Sequence, residues 1–253
     1  MSPLRILSFN IHKGFSAANR KFVLHEMKEA FDQHGADLVF LQEVQGEHRR
    51  HRSRIREWPD ASQFEFLADK SWPHTAYGKN AIYQDGHHGN AILSRFPFLA
   101  WENIDISSSR FERRGILHGL IRVESALPSE VRLHVLCVHL SLFETDRRNQ
   151  LRVLGRRIRE VIPKHEPMIL AGDFNDWRES ATPILRQEAG LEEAFLTLHG
   201  EHARTFPSFL PALKLDRIYY RGLQPRAART LDETPWNGLS DHLGLEIELE
   251  AQA

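Results

Sequence analysis

The sequence predicts an α/β protein in which two mixed β-sheets pack together with helices outside them, as one domain over residues 1–253. Three observations carry this expectation. Apolar runs of strand length recur along the whole chain. Amphipathic stretches of helical period stand between some of them. The two kinds do not alternate strictly: Gly115–Val123 and Val131–Leu140 look like an antiparallel pair joined by LPSE, whereas Met168–Ala171 follows a helix. With 41 % hydrophobic residues in 253, the chain has ample apolar material for a core of that size.

In chain order, Leu4–Phe9 is the first strand. Asn19 can cap a helix whose Val23, Met27, Ala30 and Phe31 share one face, and Gly35 suits its left-handed end. Leu38–Gln42 is the second strand. Gln45–Phe64 is charged and weakly periodic, holds HRRHRSRIRE, and reads as an extended loop, uncommon at that length unless disordered or functional. Asn90–Ser94, Gly115–Val123 and Val131–Leu140 are strands. A helix from about Arg147 to Ile162 turns Leu151, Leu154, Ile158 and Val161 inward, keeps Arg148, Arg152, Arg156 and Arg159 solvated, and stops at Pro163. Met168–Ala171 is a buried strand and Pro183–Ala189 a short helix, before the strands Leu215–Tyr220 and Leu243–Leu249.

Composition narrows the function. A formal net charge of −1 offers no global positive field for gripping nucleic acid, although a local basic groove can suffice. Cys137 is the single cysteine and lies in an apolar run, so a reduced, buried thiol is expected, as in the cytoplasm. MSPLRILSFN enters a strand pattern directly, without the apolar segment of a secretion signal. No apolar run approaches the ~20 residues that span a bilayer. No protein partner is evident, and a monomer is expected.

The strands end in polar residues. LRILSF ends at Asn10, LVFLQ at Glu43, and MILAG at Asp173 and Asn175; VLCVHL carries His139 near its end, Asp216 opens LDRIYY, and Asp241 and His242 precede the last strand. Each has an ordinary reading. Asn10, Asp173 and Asn175 are turn residues by type, His139 could be a satisfied core histidine, and Asp216 and Ser240-Asp241-His242 could be caps. Glu43 is harder to dismiss, because a carboxylate ending an apolar strand is costly without a partner. Their concentration at strand ends, where α/β sheets bind ligands, points to a site. The set suits phosphate-ester hydrolysis. Hard oxygen ligands such as Glu43, Asp241 and Asn10 fit Mg²⁺ or Mn²⁺ rather than zinc. Asp173 could orient or deprotonate an attacking water, and histidines could donate to phosphoryl oxygens. Covalent catalysis fits less well: GxSxG and Walker A sequences are absent.

FNIHKG, LQEV, GNAILSR, VHLS, GDFND, LDRIYY and LSDHLGL, in this order, resemble the endonuclease/exonuclease/phosphatase (DNase I-like) superfamily over about residues 4–249. The GHHGNAILSR and TFPSF segments are most similar to its short, stand-alone bacterial YbhP-like branch. The resemblance implies a four-layer α/β/β/α sandwich and metal-dependent phosphoester cleavage. It gives Asn10 and Glu43 the role of a metal-binding pair, with Asp241 a late aspartate on the metal side. Asp173 would align the nucleophilic water. Asn175 and His242 would contact the phosphate, and Asp216 would pair with His242. His139 matches DNase I-like and sphingomyelinase-like members rather than AP endonucleases, which have tyrosine there. Asn90, within GNAILSR, is expected on the substrate side.

The substrate is left to the surrounding loops. The basic run Arg49–Glu57 could hold a polyanion or be a solvated loop. In RFERRG, Arg113 or Arg114 could approach a phosphate. In ARTFPSFLPALK, Phe206, Phe209 and Leu210 could plug the core, or form an apolar wall for a base or a lipid. The expectation is a Mg²⁺- or Mn²⁺-dependent phosphodiesterase with modest nuclease activity. The alternatives are a phosphodiesterase or phosphatase of a lipid head group or small phosphoester, and a non-catalytic binding protein.

Overall fold

The computed structural model describes residues 3–109, 112–123 and 131–251. One six-stranded sheet holds β1 (Leu4–Asn10), β2 (Leu38–His48), β3 (His74–Tyr83), β4 (Gly86–Ser94), β11 (Leu223–Leu231) and β12 (Gly244–Ala251), in the order β11-β12-β1-β2-β4-β3. The other holds β5 (Phe98–Asp105), β6 (Gly115–Val123), β7 (Val131–His139), β8 (Met168–Asp173), β9 (Glu192–Glu193) and β10 (Asp216–Arg221), in the order β5-β6-β7-β8-β10-β9. Each sheet is mixed: β1 runs parallel to β2 and β7 to β8, and the other neighbours are antiparallel. The helices are α1 (Leu24–His34), α2 (Arg49–Arg54), α3 (Gln63–Ala68), α4 (Glu144–Val161), α5 (Ala181–Ala189) and α6 (Ala194–His199).

The pleat sorts the apolar residues into layers. In β1, Ile6 joins the core between the sheets, with Phe40, Ile92, Val135, Cys137, Ile169 and Ile247. Its neighbour Leu7 faces the other way and packs with Met27 and Phe31 of α1. On the second sheet Leu136 and Leu170 face Leu151, Leu154 and Ile158 of α4 and Leu185 of α5. Inner strands covered on both faces read as unbroken apolar runs. The result is the four-layer sandwich.

Three expectations need adjustment. Asn19 does not cap α1; it sits in a 3₁₀ turn at φ 54°, and Val23 precedes the helix without a side-chain cap. Gly35 does end α1, at φ 66°. Gln45–Phe64 is not one extended loop: β2 continues to His48, α2 takes up Arg49–Arg54 and α3 begins at Gln63. Aromatic packing holds this segment, with His51 stacked on His48 at 3.6 Å and Trp58 on Phe22 at 5.0 Å, and such packing carries no sequence period. In α4, Val161 is 40 % exposed and the inward face is completed by Arg147 and Gln150. The LPSE connection lies outside the described residues; the strands it joins are paired antiparallel, with Ile116 opposite Val138.

Candidate active site

The C-terminal ends of β1, β2, β7 and β8 meet, and β10 starts beside the end of β8, with Asp216 opposite Asp173. Asn10 Nδ2 donates across the two sheets to Asp173 Oδ2 at 3.1 Å. The polar residues of the two sheets thus form one buried group.

Local geometry explains why GDFND sits here. Gly172 has φ 145°, and a Cβ there would stand 2.0 Å from the Val138 carbonyl oxygen, so glycine is required where β8 presses on β7. The next residue, Asp173, is aimed into the cleft. Its Oδ1 accepts from Asn175 N at 2.9 Å, and Asn175 turns back at φ 50° to donate from Nδ2 to Leu140 O at 3.0 Å. Of the eight non-glycine residues with positive φ among the described residues, four (His12, Lys13, Glu43 and Asn175) surround this cleft. Strain of this kind costs ~1–3 kcal/mol per residue and persists only where its surroundings impose it.

Asp173 Oδ2 also stands 3.5 Å from His139 Nε2 and 3.8 Å from His242 Nε2. His242 Nδ1 lies 2.9 Å from Asp216 Oδ2, which also accepts from Thr205 Oγ1. Burial pushes the Asp173 carboxyl above the usual carboxylate range, against the pull of His242. Burial works to lower His242, but Asp216 and Asp173 overcome it and hold the imidazole charged at neutral pH. His139 behaves oppositely: burial and then the Arg114 charge keep it neutral.

On the other side of Asn10, Glu43 Oε2 lies 2.9 Å from Lys13 Nζ and 4.0 Å from His12 Nδ1, and Asp241 Oδ2 lies 3.3 Å from His12 Nδ1. Burial opposes ionisation of Glu43, yet its carboxyl is held below the usual carboxylate range; with His139 neutral, Lys13 is the cation that does so. Ser240 Oγ donates to Asn10 O at 2.6 Å and fixes the SDH turn against β1.

The substrate-side residues divide. Phe206 packs on His242, ring centroids 5.0 Å apart. Arg114 borders the cleft through Leu140, whose carbonyl oxygen accepts from its Nε at 3.2 Å, and is held by Glu112 at 2.7 Å. Arg113 turns outward, 47 % exposed and 3.6 Å from Asp105 Oδ2. Asn90 is buried, and its Nδ2 is directed at the Gly115 and Cys137 carbonyls at 3.3 and 3.4 Å, stitching one sheet to the other.

The sequence pattern missed the frame behind the site. Arg147 is fully buried; Nη1 donates to the carbonyls of Ser141 and Leu142 at 3.1 and 3.0 Å, and Nε stands 3.7 Å from Asp176 Oδ1. Arg217, also fully buried, donates to Asp216 O and Asp176 O. Asp176 in turn accepts from Ala181 N at 2.6 Å at the start of α5. These groups tie the loops after β7 and β8 to the start of β10. Arginines in an amphipathic helix and after LD gave no sign of burial. A cavity of about 510 Å³, lined by Phe195, His199, His202 and Arg229 among others, includes none of the candidate site residues.

Two mixed sheets joined at one end by a carboxylate–histidine–carboxamide group define the DNase I-like class of sandwich. A family model described as "Endonuclease/Exonuclease/phosphatase family" matches residues 7–242, and the chain belongs to that family. It is 46 % identical over 245 residues to the protein YbhP of Escherichia coli strain K12, covering 97 % of this chain and 95 % of that one. Among solved structures it resembles an endonuclease/exonuclease/phosphatase from Beutenbergia cavernae DSM 12333, with TM-score 0.76 and 19 % identity, covering 100 % of this chain and 72 % of that one. It also resembles D. rerio TDP2 complexed with a single-strand DNA product, with TM-score 0.70 and 20 % identity over 99 % of this chain and 100 % of that one. At these identities the two structures speak for the fold. No helix among the described residues is long and apolar enough to cross a membrane.

Proposed function

We propose that the protein is a Mg²⁺- or Mn²⁺-dependent phosphodiester hydrolase, a single domain working as a monomer in the cytoplasm. The observation that carries the reading is the continuous run Asn10–Asp173–His242–Asp216 across the two sheets, with Glu43 and Asp241 beside it.

The residues present fit a hard divalent cation. Glu43 Oε2 is buried with Lys13 Nζ at 2.9 Å, Asp241 Oδ2 has His12 Nδ1 at 3.3 Å, and both carboxylates need positive charge beside them. Asn10, Glu43 and Asp241 would hold the cation through oxygen. When bound, it supplies charge that offsets the negative charge developing on the phosphoryl group. A second grouping, Asp173, Asp216 and His242, brings ligand atoms within 4.8 Å of one another. It is the weaker metal site, because His242 is protonated and Asp216 Oδ2 is already taken by His242 and Thr205.

Asp173, lifted toward neutral pH by burial, receives the proton of the attacking water, held in place by Asn10 and the Asn175 amide. His242, kept charged and oriented by Asp216, donates to a non-bridging phosphoryl oxygen. Neutral His139 and the Asn175 side chain position the phosphate. Cys137 takes no part: burial pushes its thiol up to about 12. Phosphodiesters at large come within this reading, an oligonucleotide backbone among them. A lipid head group is the second reading, favoured by the exposed Phe209 and Leu210 beside Phe206. The test is turnover of bis-p-nitrophenyl phosphate with Mg²⁺ or Mn²⁺ by wild-type and Asp173→Asn protein. Wild-type turnover that is lost in the variant supports the proposal; turnover unchanged in the variant overturns it.

A further inference from the structure

Six large apolar side chains among the described residues are exposed by half or more, and five stand at the end that holds the site. They are Ile82 (73 %), Leu142 (57 %), Phe143 (68 %), Phe209 (76 %) and Leu210 (69 %). Topology places them. Leu142 and Phe143 follow His139 off β7. Phe209 and Leu210 lie between Phe206, against His242, and Asp216. Ile82 is beside the turn joining β3 to β4, which lies against the end of β2 beyond Glu43, with Gly86 opposite His48. Apolar residues gathered at one end of a molecule mark a surface that something covers.

Charge lies beside them. Arg49 N donates to Asp85 O at 2.7 Å, fastening α2 to the β3–β4 turn. From α2, Arg50 and Arg54 are exposed and have no ion-pair partner among the described residues. Three of the five apolar residues are aliphatic and give a nucleic-acid base nothing to stack on, whereas all five gain by leaving water for acyl chains. The net charge of −1 gives no long-range pull on a polyanion, but two free arginines beside an apolar rim match a bilayer that carries anionic head groups.

We propose that this end of the molecule docks on an anionic phospholipid bilayer, the apolar rim entering the acyl boundary and the α2 arginines lying over the head groups. The site then takes its phosphodiester from the membrane; that second step rests on the hydrolase reading, and the docking does not.

The test is co-sedimentation of the full chain with vesicles of phosphatidylcholine alone and of phosphatidylcholine and phosphatidylglycerol mixed three to one. Turnover of soluble bis-p-nitrophenyl phosphate is measured in parallel. Wild-type protein is expected to sediment with the mixed vesicles. Phe143→Ser/Ile82→Ser should weaken that binding at least ~10-fold, and Arg50→Gln/Arg54→Gln should abolish the preference for mixed over neutral vesicles. Both variants change exposed residues outside the catalytic group, so soluble turnover should stay at the wild-type level. Absence of sedimentation with either vesicle, or equal sedimentation of wild type and the apolar variant, would overturn the docking. So would binding of an oligonucleotide, in place of vesicles, that is lost in the same variants. Vesicle binding by a protein without soluble turnover supports the docking and removes the hydrolase reading alone.

Discussion

His242 Nδ1 lies 2.9 Å from Asp216 Oδ2, which leaves Nε2 directed at the cleft, 3.8 Å from Asp173 Oδ2. Asp216 therefore sets both the orientation and the charge of the imidazole. Without it, burial would drive His242 toward the neutral form. Replacing His242 by Ala should cost at least ~10²-fold in kcat. Asp216→Asn should keep the ring in place but lower its pKa, so the alkaline limb of the rate profile should move to lower pH. A pH–rate profile of each variant on a model phosphodiester, with circular dichroism as the check on folding, decides the matter.

Glu43 is the charged oxygen ligand proposed on the metal side, with Lys13 and His12 against it. Glu43→Gln keeps the shape and removes the charge. The concentration of Mg²⁺ giving half-maximal turnover should rise at least ~10-fold, with smaller loss at saturation. EDTA should abolish wild-type turnover, and added Mg²⁺ or Mn²⁺ should restore it. Turnover that survives exhaustive chelation would remove the metal from the proposal.

Gly172 tests whether the backbone, as well as the carboxylates, builds the site. A Cβ at this position meets the Val138 carbonyl at 2.0 Å, on a residue at φ 145°. Gly172→Ala must push β8 off β7 immediately before Asp173. A loss of at least ~2 kcal/mol in stability is expected, with turnover falling further than unfolding accounts for. Urea unfolding and turnover measured on the same preparation separate the two.

Much of this arrangement was legible in the sequence, and the part that was not has a physical cause. The eight strands read from apolar runs are the inner strands of the two sheets. The four missed, β3, β5, β9 and β11, are the four sheet edges. An edge strand has one side of its ladder in solvent and need not be apolar: β5 is mostly exposed, and β11 carries Arg226, Arg229 and a bulge at Pro225. The site residues Asn10, Glu43, Asp173, Asp216 and Asp241 stood out because each breaks or borders an apolar run. Lys13 and Arg147 broke no such pattern, since a lysine in a loop and an arginine on a helix are ordinary until the fold sets the one against Glu43 and buries the other.

Arg147 yields a stability prediction of its own. Its guanidinium is wholly buried, near the equally buried Asp176 and over the Trp177 ring at 4.8 Å. Removing one member leaves the other charge buried and unpaired, which typically costs ~3–5 kcal/mol. Arg147→Ala should therefore unfold at much lower urea than Arg148→Ala, one residue on, whose partner Glu144 is at the surface. Similar midpoints for the two would show that the buried arginine contributes little to holding the loops.

The last prediction concerns acid. Glu246 on β12 lies 2.8 Å from His34 Nε2 and is bonded by Arg229. Burial works to raise its carboxyl, but His34 and Arg229 hold it at about 2. A folded pKa below the unfolded value of ~4.3 means that the unfolded state binds the proton more readily. The stabilisation is therefore complete above the unfolded pKa and is lost as pH falls toward the folded one. Glu246 is buried but its partner Arg229 is exposed, so solvent screening reduces the effect. Glu246→Gln should melt lower than wild type at pH 7, and the gap between the two melting temperatures should close between about pH 4.5 and pH 2. A gap that stays constant through that window would mean that the glutamate acts through packing, with its charge contributing nothing.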